Sequence, residues 1–297
     1  MKLIQWTVFI DILGYRDVNG AINTEEKAKE FVAFMENNRE GFNLTNGEEV
    51  KKQYVNDRTF NLYEWYDIKY AFVSDSLILT FYPKEVDKNE PERKLYLHSA
   101  NALFIIAIRI QALILTCFST KGLFLRGGIS NKYCYIRDHF AVGEGLVNAY
   151  KAESVLAKHP RIAFSPDVID NKELMKEINN IGNLGYGGNQ IIKEDEDGVF
   201  YLDYLNFELS LFDKNCKSAA ATGYDPAKIK ALRSTQFYFE SHSDAIKRKL
   251  VELYNEKESK GEDTKSIDKI ISKFEWLKSY HNRVLKERGK FLKCIID

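Results

Sequence analysis

Residues Leu3 to Asp11 form an apolar run that ends in an acid, the pattern of a central strand. Thr24 is a helix N-cap. Early acids follow it, and Ala28, Phe31, Val32 and Met35 recur at helical spacing, which predicts a helix over 25–38. Gly41 to Asp57 is polar and predicts a loop with a short helix. Ile68 to Phe81 is apolar on both sides of Ser74-Asp75-Ser76, which predicts two strands joined by a tight turn. A helix apolar nearly all round follows, from about Arg93 to Thr120.

Leu123–Ser130 and Cys134–Val142 each read as a strand. Gly143 opens a helix to about Lys158, Pro160 stops it, and Arg161–Ser165 is again a strand. Asp170–Ile181 reads as helix, and Gly182–Gln190, with four glycines, as a loop. The acidic run Glu194–Asp197 with Gly198 reads as a solvated turn between strands. From Asp225 onward helical spacing dominates, most clearly at Ile267, Ile270, Ile271, Phe274 and Leu277, and Lys257–Thr264 is a charged hairpin between two helices. This order predicts an α+β domain over 1–224 of the split βαβ, ferredoxin-like kind, with a helical region over 225–297.

The 297 residues include 43 Lys+Arg and 43 Asp+Glu, so the formal net charge is zero. That balance argues against a protein that coats nucleic acid, which needs a basic surplus. The surplus that exists is local: residues 241–297 hold 14 basic and 10 acidic side chains. Leu103–Phe118 is the one membrane candidate, but Arg109 and Gln111 interrupt it, and a span needs about 20 apolar residues. We read it as a buried helix and expect no membrane partner. The four cysteines have no CxxC spacing and the N-terminus has no signal-peptide pattern, which together predict a cytoplasmic protein with reduced thiols. The five histidines lack metal-ligand spacing and read as structural.

The chemically loaded residues are Asp11, at the end of an apolar strand, and Asp75, in a tight turn between two others. A carboxylate in such a place is costly unless its charge is compensated. Hard divalent cations such as Mg²⁺ or Mn²⁺ compensate paired carboxylates well. Two neighbouring strands can bring both acids to one sheet edge. The other reading of each acid is a simple turn cap. Asp11-Ile12-Leu13-Gly14 then leads into a turn whose backbone amides can hold phosphate oxygens.

Taken in order, Phe9–Gly14, Phe72–Ser76, Arg126-Gly127-Gly128-Ile129 and Gly143–Glu153 resemble the catalytic domain of class III nucleotidyl cyclases over roughly residues 4 to 165. The resemblance implies a homodimer with active sites at the interface. It implies two metal ions, Mg²⁺ or Mn²⁺, held by Asp11, Asp75 and the backbone of Ile12, and a nucleoside triphosphate substrate closed to a 3′,5′-cyclic product. Departures narrow the substrate. The base-reading lysine of adenylate cyclases falls on Ala71 and its acidic partner on Phe140. The family's asparagine falls on Val147, beside Asn148, and its phosphate-binding arginine on Lys151, which keeps charge but not the bidentate fork.

The Ser74–Ser76 hairpin, Arg126-Gly127 and Ala149-Tyr150-Lys151-Ala152-Glu153 are more similar to the PycC-type pyrimidine cyclases of bacterial anti-phage signalling. That resemblance implies cyclic UMP, or second cyclic CMP, as product and a separate effector activated by it. Within this frame Tyr70 is a candidate to stack on a pyrimidine and Phe140 to wall it, although a strand neighbour of a pocket residue points the other way. Arg126 either contacts substrate or forms an ion pair with Glu153, and Tyr150 with Glu153 reads as an internal structural pair. The competing readings are a purine cyclase with relocated base contacts and a catalytically inactive nucleotide-binding dimerisation module.

Overall fold

Strand β1 (Trp6–Leu13) sits inside a seven-stranded sheet because it is apolar enough to be covered on both faces. The computed structural model describes residues 3–43, 60–85, 91–138, 140–223, 225–260 and 264–297. The other strands are β2 (Tyr66–Val73), β3 (Ser76–Pro83), β4 (Phe124–Ser130), β5 (Tyr135–Arg137), β6 (Phe140–Val142), β7 (Ile162–Phe164), β8 (Ile192–Glu194) and β9 (Phe200–Leu202). The sheet order is β2-β3-β1-β4-β7-β9-β8, and β5 pairs with β6 apart from it. β1 runs antiparallel to both β3 and β4, whereas β7 lies parallel to β4, so the sheet is mixed and the fold is α+β.

The helices are α1 (Tyr15–Ala21), α2 (Glu25–Asn43), α3 (Leu62–Trp65), α4 (Glu92–Thr116), α5 (Glu144–Lys151), α6 (Pro166–Ile169), α7 (Lys172–Gly185), α8 (Tyr204–Thr222), α9 (Asp225–Lys260) and α10 (Lys265–Arg288). Trp6, Val8, Ile10 and Ile12 point to one face of the sheet and are buried in the core that α4 fills. Thr7, Phe9 and Asp11 point to the other face, where α5 and the β5–β6 hairpin pack.

Helix α4 continues through a π-helical turn to Lys121 and is long and apolar enough to span a membrane, but 61% of its most apolar window is buried inside the protein. Both of its polar interruptions donate to partners inside the protein. Arg109 donates to the Tyr63 hydroxyl and lies 5.1 Å from that ring, while Gln111 donates to Glu208.

Three expectations are corrected. Cys134–Val142 is not one strand but the β5–β6 hairpin, reversed beside Asp138 at φ 54°. Gly182–Gln190 is not all loop, because α7 runs through Gly182 to Gly185. The acidic turn is not simply solvated. Asp195 and Asp197 bind the buried Arg161 at 2.7 and 2.5 Å. Of the loop expected over Gly41–Asp57, residues 41–43 end α2 and the rest lies outside the described residues.

Helices α8 to α10 share one continuous core with the sheet. Phe118 meets Tyr238 at 5.4 Å and Phe124 meets Phe274 at 5.1 Å, both edge-to-face. The helical layer therefore begins at Tyr204, before Asp225.

Two buried histidines link this layer through a hydrogen-bond chain that fixes their tautomers. His281 Nε2 lies 2.9 Å from the Cys294 carbonyl, which only accepts, so Nε2 carries the proton. His281 Nδ1 then accepts from His242 Nδ1 at 2.9 Å, and His242 Nε2 accepts from the Tyr204 hydroxyl at 3.0 Å. Burial holds His281 down to about 4 and, with the charge of His281, holds His242 well below its ordinary value. Because the unfolded imidazoles bind protons first, stability is lost as pH falls from about 6.5 towards 4. The melting temperature is expected to drop across that window. Nitrogen NMR is expected to find the Nε2–H form at His281 and the Nδ1–H form at His242, and two Nε2–H imidazoles would refute the chain.

Candidate active site

Asp11 faces Arg126 directly across the β1–β4 ladder. The β1–β3 register ends at Ile10↔Leu77, while β1–β4 pairing continues to Leu13↔Phe124, so the β3 flank of Asp11–Leu13 has no ladder partner there. The two-residue turn Ser74–Asp75 joins β2 to β3 beside that open flank, with Ser74 at φ 59°. A non-glycine residue rarely adopts this conformation. The turn sets the Asp75 carboxyl near enough to that of Asp11 for the two to act on each other's charge.

Arg126 joins this pair to a third acid. Its Nε and Nη2 each donate to Asp11 Oδ2 at 3.1 Å, and Nε also stands 2.5 Å from Glu153 Oε1. Glu153 lies in the π-helical turn Ala152–Leu156 that extends α5. The glycines explain how this turn comes so close to β4. A Cβ on Gly128 would stand 2.0 Å from the Ala149 carbonyl oxygen and 2.8 Å from the Glu153 nitrogen, so only glycine fits. Tyr150 packs edge-to-face on Phe9 at 5.4 Å, which fixes the same helix over the strand.

The acids repel one another, and burial deepens the conflict. Burial, then the hydrogen bond and charge of Asp75, push Asp11 up to about 6 against the opposing pull of Arg126. Burial likewise raises Glu153 to about 6, with Arg126 opposing and Asp11 and Asp75 adding to the rise. A further cation acts on the cluster electrostatically from the helical layer. Lys273 of α10 is half-buried, and its pKa is lowered by burial and by Arg126 while Glu153 and Asp11 act to raise it. The pattern of α10 gave no sign of this, because a lysine beside an apolar helix position is ordinary in any sequence.

Other candidates fall elsewhere. Tyr70 pairs with Leu79 on the opposite face of the sheet and packs into the main core, so it does not meet the acids. Alternation instead puts Ala71 on the site face, with Ile78, Cys134 and Ile136. Phe140 is 75% exposed on β6. Lys151 is exposed and lines a cleft of about 360 Å³ with Asn148, Val155 and Asp167, apart from the Asp11–Arg126–Glu153 contacts. Asn148 donates to Asp167 at 3.3 Å. Ile12 is buried, Leu13 is half-buried, and Gly14 takes the left-handed φ of 81° that turns the chain into α1.

Among the described residues no group of three or more His, Cys, Asp or Glu side chains is arranged to hold a metal. Two carboxyls brought near each other, as Asp11 and Asp75 are, have the chemistry that suits a hard cation, whose charge would relieve their repulsion. No family model matches the chain, and no curated protein is significantly similar to it.

Proposed function

We propose that the chain is a divalent-cation-dependent nucleotidyl cyclase that converts a pyrimidine nucleoside triphosphate, UTP before CTP, into a 3′,5′-cyclic nucleotide and pyrophosphate. The observation that carries the reading is the meeting of Asp11 and Asp75, from distant parts of the chain, on one face of the sheet. The strand order β2-β3-β1-β4, with β1 antiparallel to both neighbours, supports it as the arrangement of a split βαβ, ferredoxin-like cyclase core.

Two Mg²⁺ or Mn²⁺ ions held by Asp11, Asp75 and the Ile12 backbone would supply the Lewis acidity that lowers the ribose hydroxyl pKa and neutralises phosphate charge. The protein groups orient the substrate. Arg126 places a guanidinium beside the acids, where charge on the phosphates accumulates. Ala71, Ile78 and Ile136 give the same face an apolar floor, without the polar contacts that read a purine edge.

A second copy of the chain is the proposed partner. Phe140, Val142, Val147, Tyr150 and Val155, on β6, α5 and its extension, are all more than half exposed or close to it. Such a surface is costly to leave in water. The product would act on a separate cyclic-nucleotide-activated effector in the cytoplasm, in anti-phage signalling.

The test is incubation of the purified protein with each of the four ribonucleoside triphosphates and Mn²⁺, with products identified by mass. A cyclic pyrimidine nucleotide is the expected product. Cyclic AMP or GMP alone would overturn the substrate assignment, and no turnover by a folded dimer would favour the inactive nucleotide-binding module.

A further inference from the structure

Glu208 of α8 is an acid outside the candidate site. It lines a cleft of about 450 Å³ between α8 and α9, a volume in the range of ligand clefts. Two buried side chains hold its carboxyl: Thr235 Oγ1 donates to Oε1 at 2.7 Å, and Gln111 of α4 donates to Oε2. Thr235 and Gln111 are 3% and 4% exposed, so the carboxyl lies at the inner end of the cleft. Burial pushes Glu208 up against the pull of those two donors, and among the described residues no cation pairs with it. A carboxylate offers about four acceptor positions, and these two donors leave the others open. Gln111 Oε1 is also buried and accepts no hydrogen bond from the described residues. Acceptors therefore outnumber donors at this end, which is costly for buried polar groups.

The rest of the lining selects the ligand. Among the described residues Glu208 is the only acid that lines the cleft, so a metal ion would lack the several oxygen anions it takes. Leu211, Ala227 and Ala231 form a half-buried apolar neck, and Asn215 and Lys230 stand exposed at the mouth. A primary alkylammonium ion fits this gradient. Its head brings one positive charge and three N–H donors to the inner end, and its carbon chain suits the apolar neck. We infer that the cleft binds such an ion, with the ammonium on Glu208 and the chain between Leu211 and Ala231. The site shares no residue with Asp11, Asp75 and Arg126, so it stands whether or not the chain cyclises a nucleotide.

The experiment is an NMR titration of the full-length protein with butylammonium chloride, and with 1-butanol as a neutral control of similar shape. Wild type, Glu208→Gln and Ala231→Leu are compared. The wild type is expected to show saturable shifts at the cleft, with 1-butanol binding at least about tenfold more weakly. Glu208→Gln keeps the shape of the side chain and removes its charge, and it is expected to weaken butylammonium binding at least about tenfold. Ala231→Leu leaves the carboxyl in place and fills the apolar neck, and a loss of similar size is expected. A wild type without saturable binding overturns the inference. So does equal binding of 1-butanol, or undiminished binding by either variant. If Glu208→Gln does not fold, Ala231→Leu and the alcohol control decide by the same outcomes.

Discussion

Asp75→Asn is expected to abolish turnover, by about a thousandfold or more, while leaving the fold as stable as before or more so. The loss follows from removing one of the two carboxylates proposed to hold the cations, an interaction worth several kcal/mol in the transition state. The stability effect has the opposite sign because the native pair is repulsive. Asp11 sits near 6 rather than its ordinary 3.8 through burial and through Asp75. A carboxyl raised in the folded state contributes stability below its unfolded pKa and loses that contribution as pH rises through the folded value. Without added cation, the wild type therefore loses stability between about pH 4 and 6, and Asp75→Asn loses less. Mn²⁺ is expected to raise the melting temperature of the wild type and not of the variant, since only a ligand bound to the native state stabilises it. A variant that keeps turnover, or that melts far below the wild type, would sink the assignment.

Arg161→Ala is expected to cost about 3–5 kcal/mol in urea unfolding, the usual penalty for breaking a buried ion pair from one side. Arg161 is fully buried, with Nη1 2.7 Å from Asp195, Nη2 2.5 Å from Asp197, and Nη2 donating to the Leu156 carbonyl at 2.9 Å. Despite the opposing effect of burial, its hydrogen bond and charge hold the Asp197 carboxyl below its ordinary range. Asp195 also accepts from Trp276 Nε1 at 2.9 Å, and Trp276 lies against the Arg161 guanidinium at 5.6 Å. The cluster thus fastens α10, which carries Lys273 and Phe274, to the sheet. Replacing all three charges together, as Arg161→Met with Asp195→Asn and Asp197→Asn, is expected to recover much of the loss, because the penalty comes from the orphaned carboxylates. A cost under about 1 kcal/mol for Arg161→Ala would show that the cluster does not anchor the helix.

The pyrimidine assignment turns on the same face of the sheet. Tyr70 points into the core, so under the proposed reading the contacts that choose the base would come from around Ala71 and from a second copy of the chain. Phe140 is exposed, and the cleft beside Lys151 lies apart from the Asp11–Arg126–Glu153 contacts.

Much of this architecture was legible in local pattern. The apolar run into Asp11, the paired strands around Ser74–Asp75, the apolar α4 and the helix after Gly143 all follow from periods of about 2 and 3.6 residues, which depend on near neighbours alone. The pattern also singled out the two acids, because a carboxylate among apolar strand residues stands out along the chain. It failed where pairing is decided at a distance. Whether Cys134–Val142 is one strand or a hairpin depends on a reversal at Asp138, and whether an acidic turn is solvated depends on Arg161 lying beneath it. By itself, then, the sequence determined an α+β chain with Asp11 and Asp75 as its outstanding charges. Tertiary structure alone decided that those acids come near each other and that Arg126 is shared between Asp11 and Glu153. These are contacts between residues far apart in the chain, set by strand register and by the close approach that Gly128 permits, and no local period encodes them.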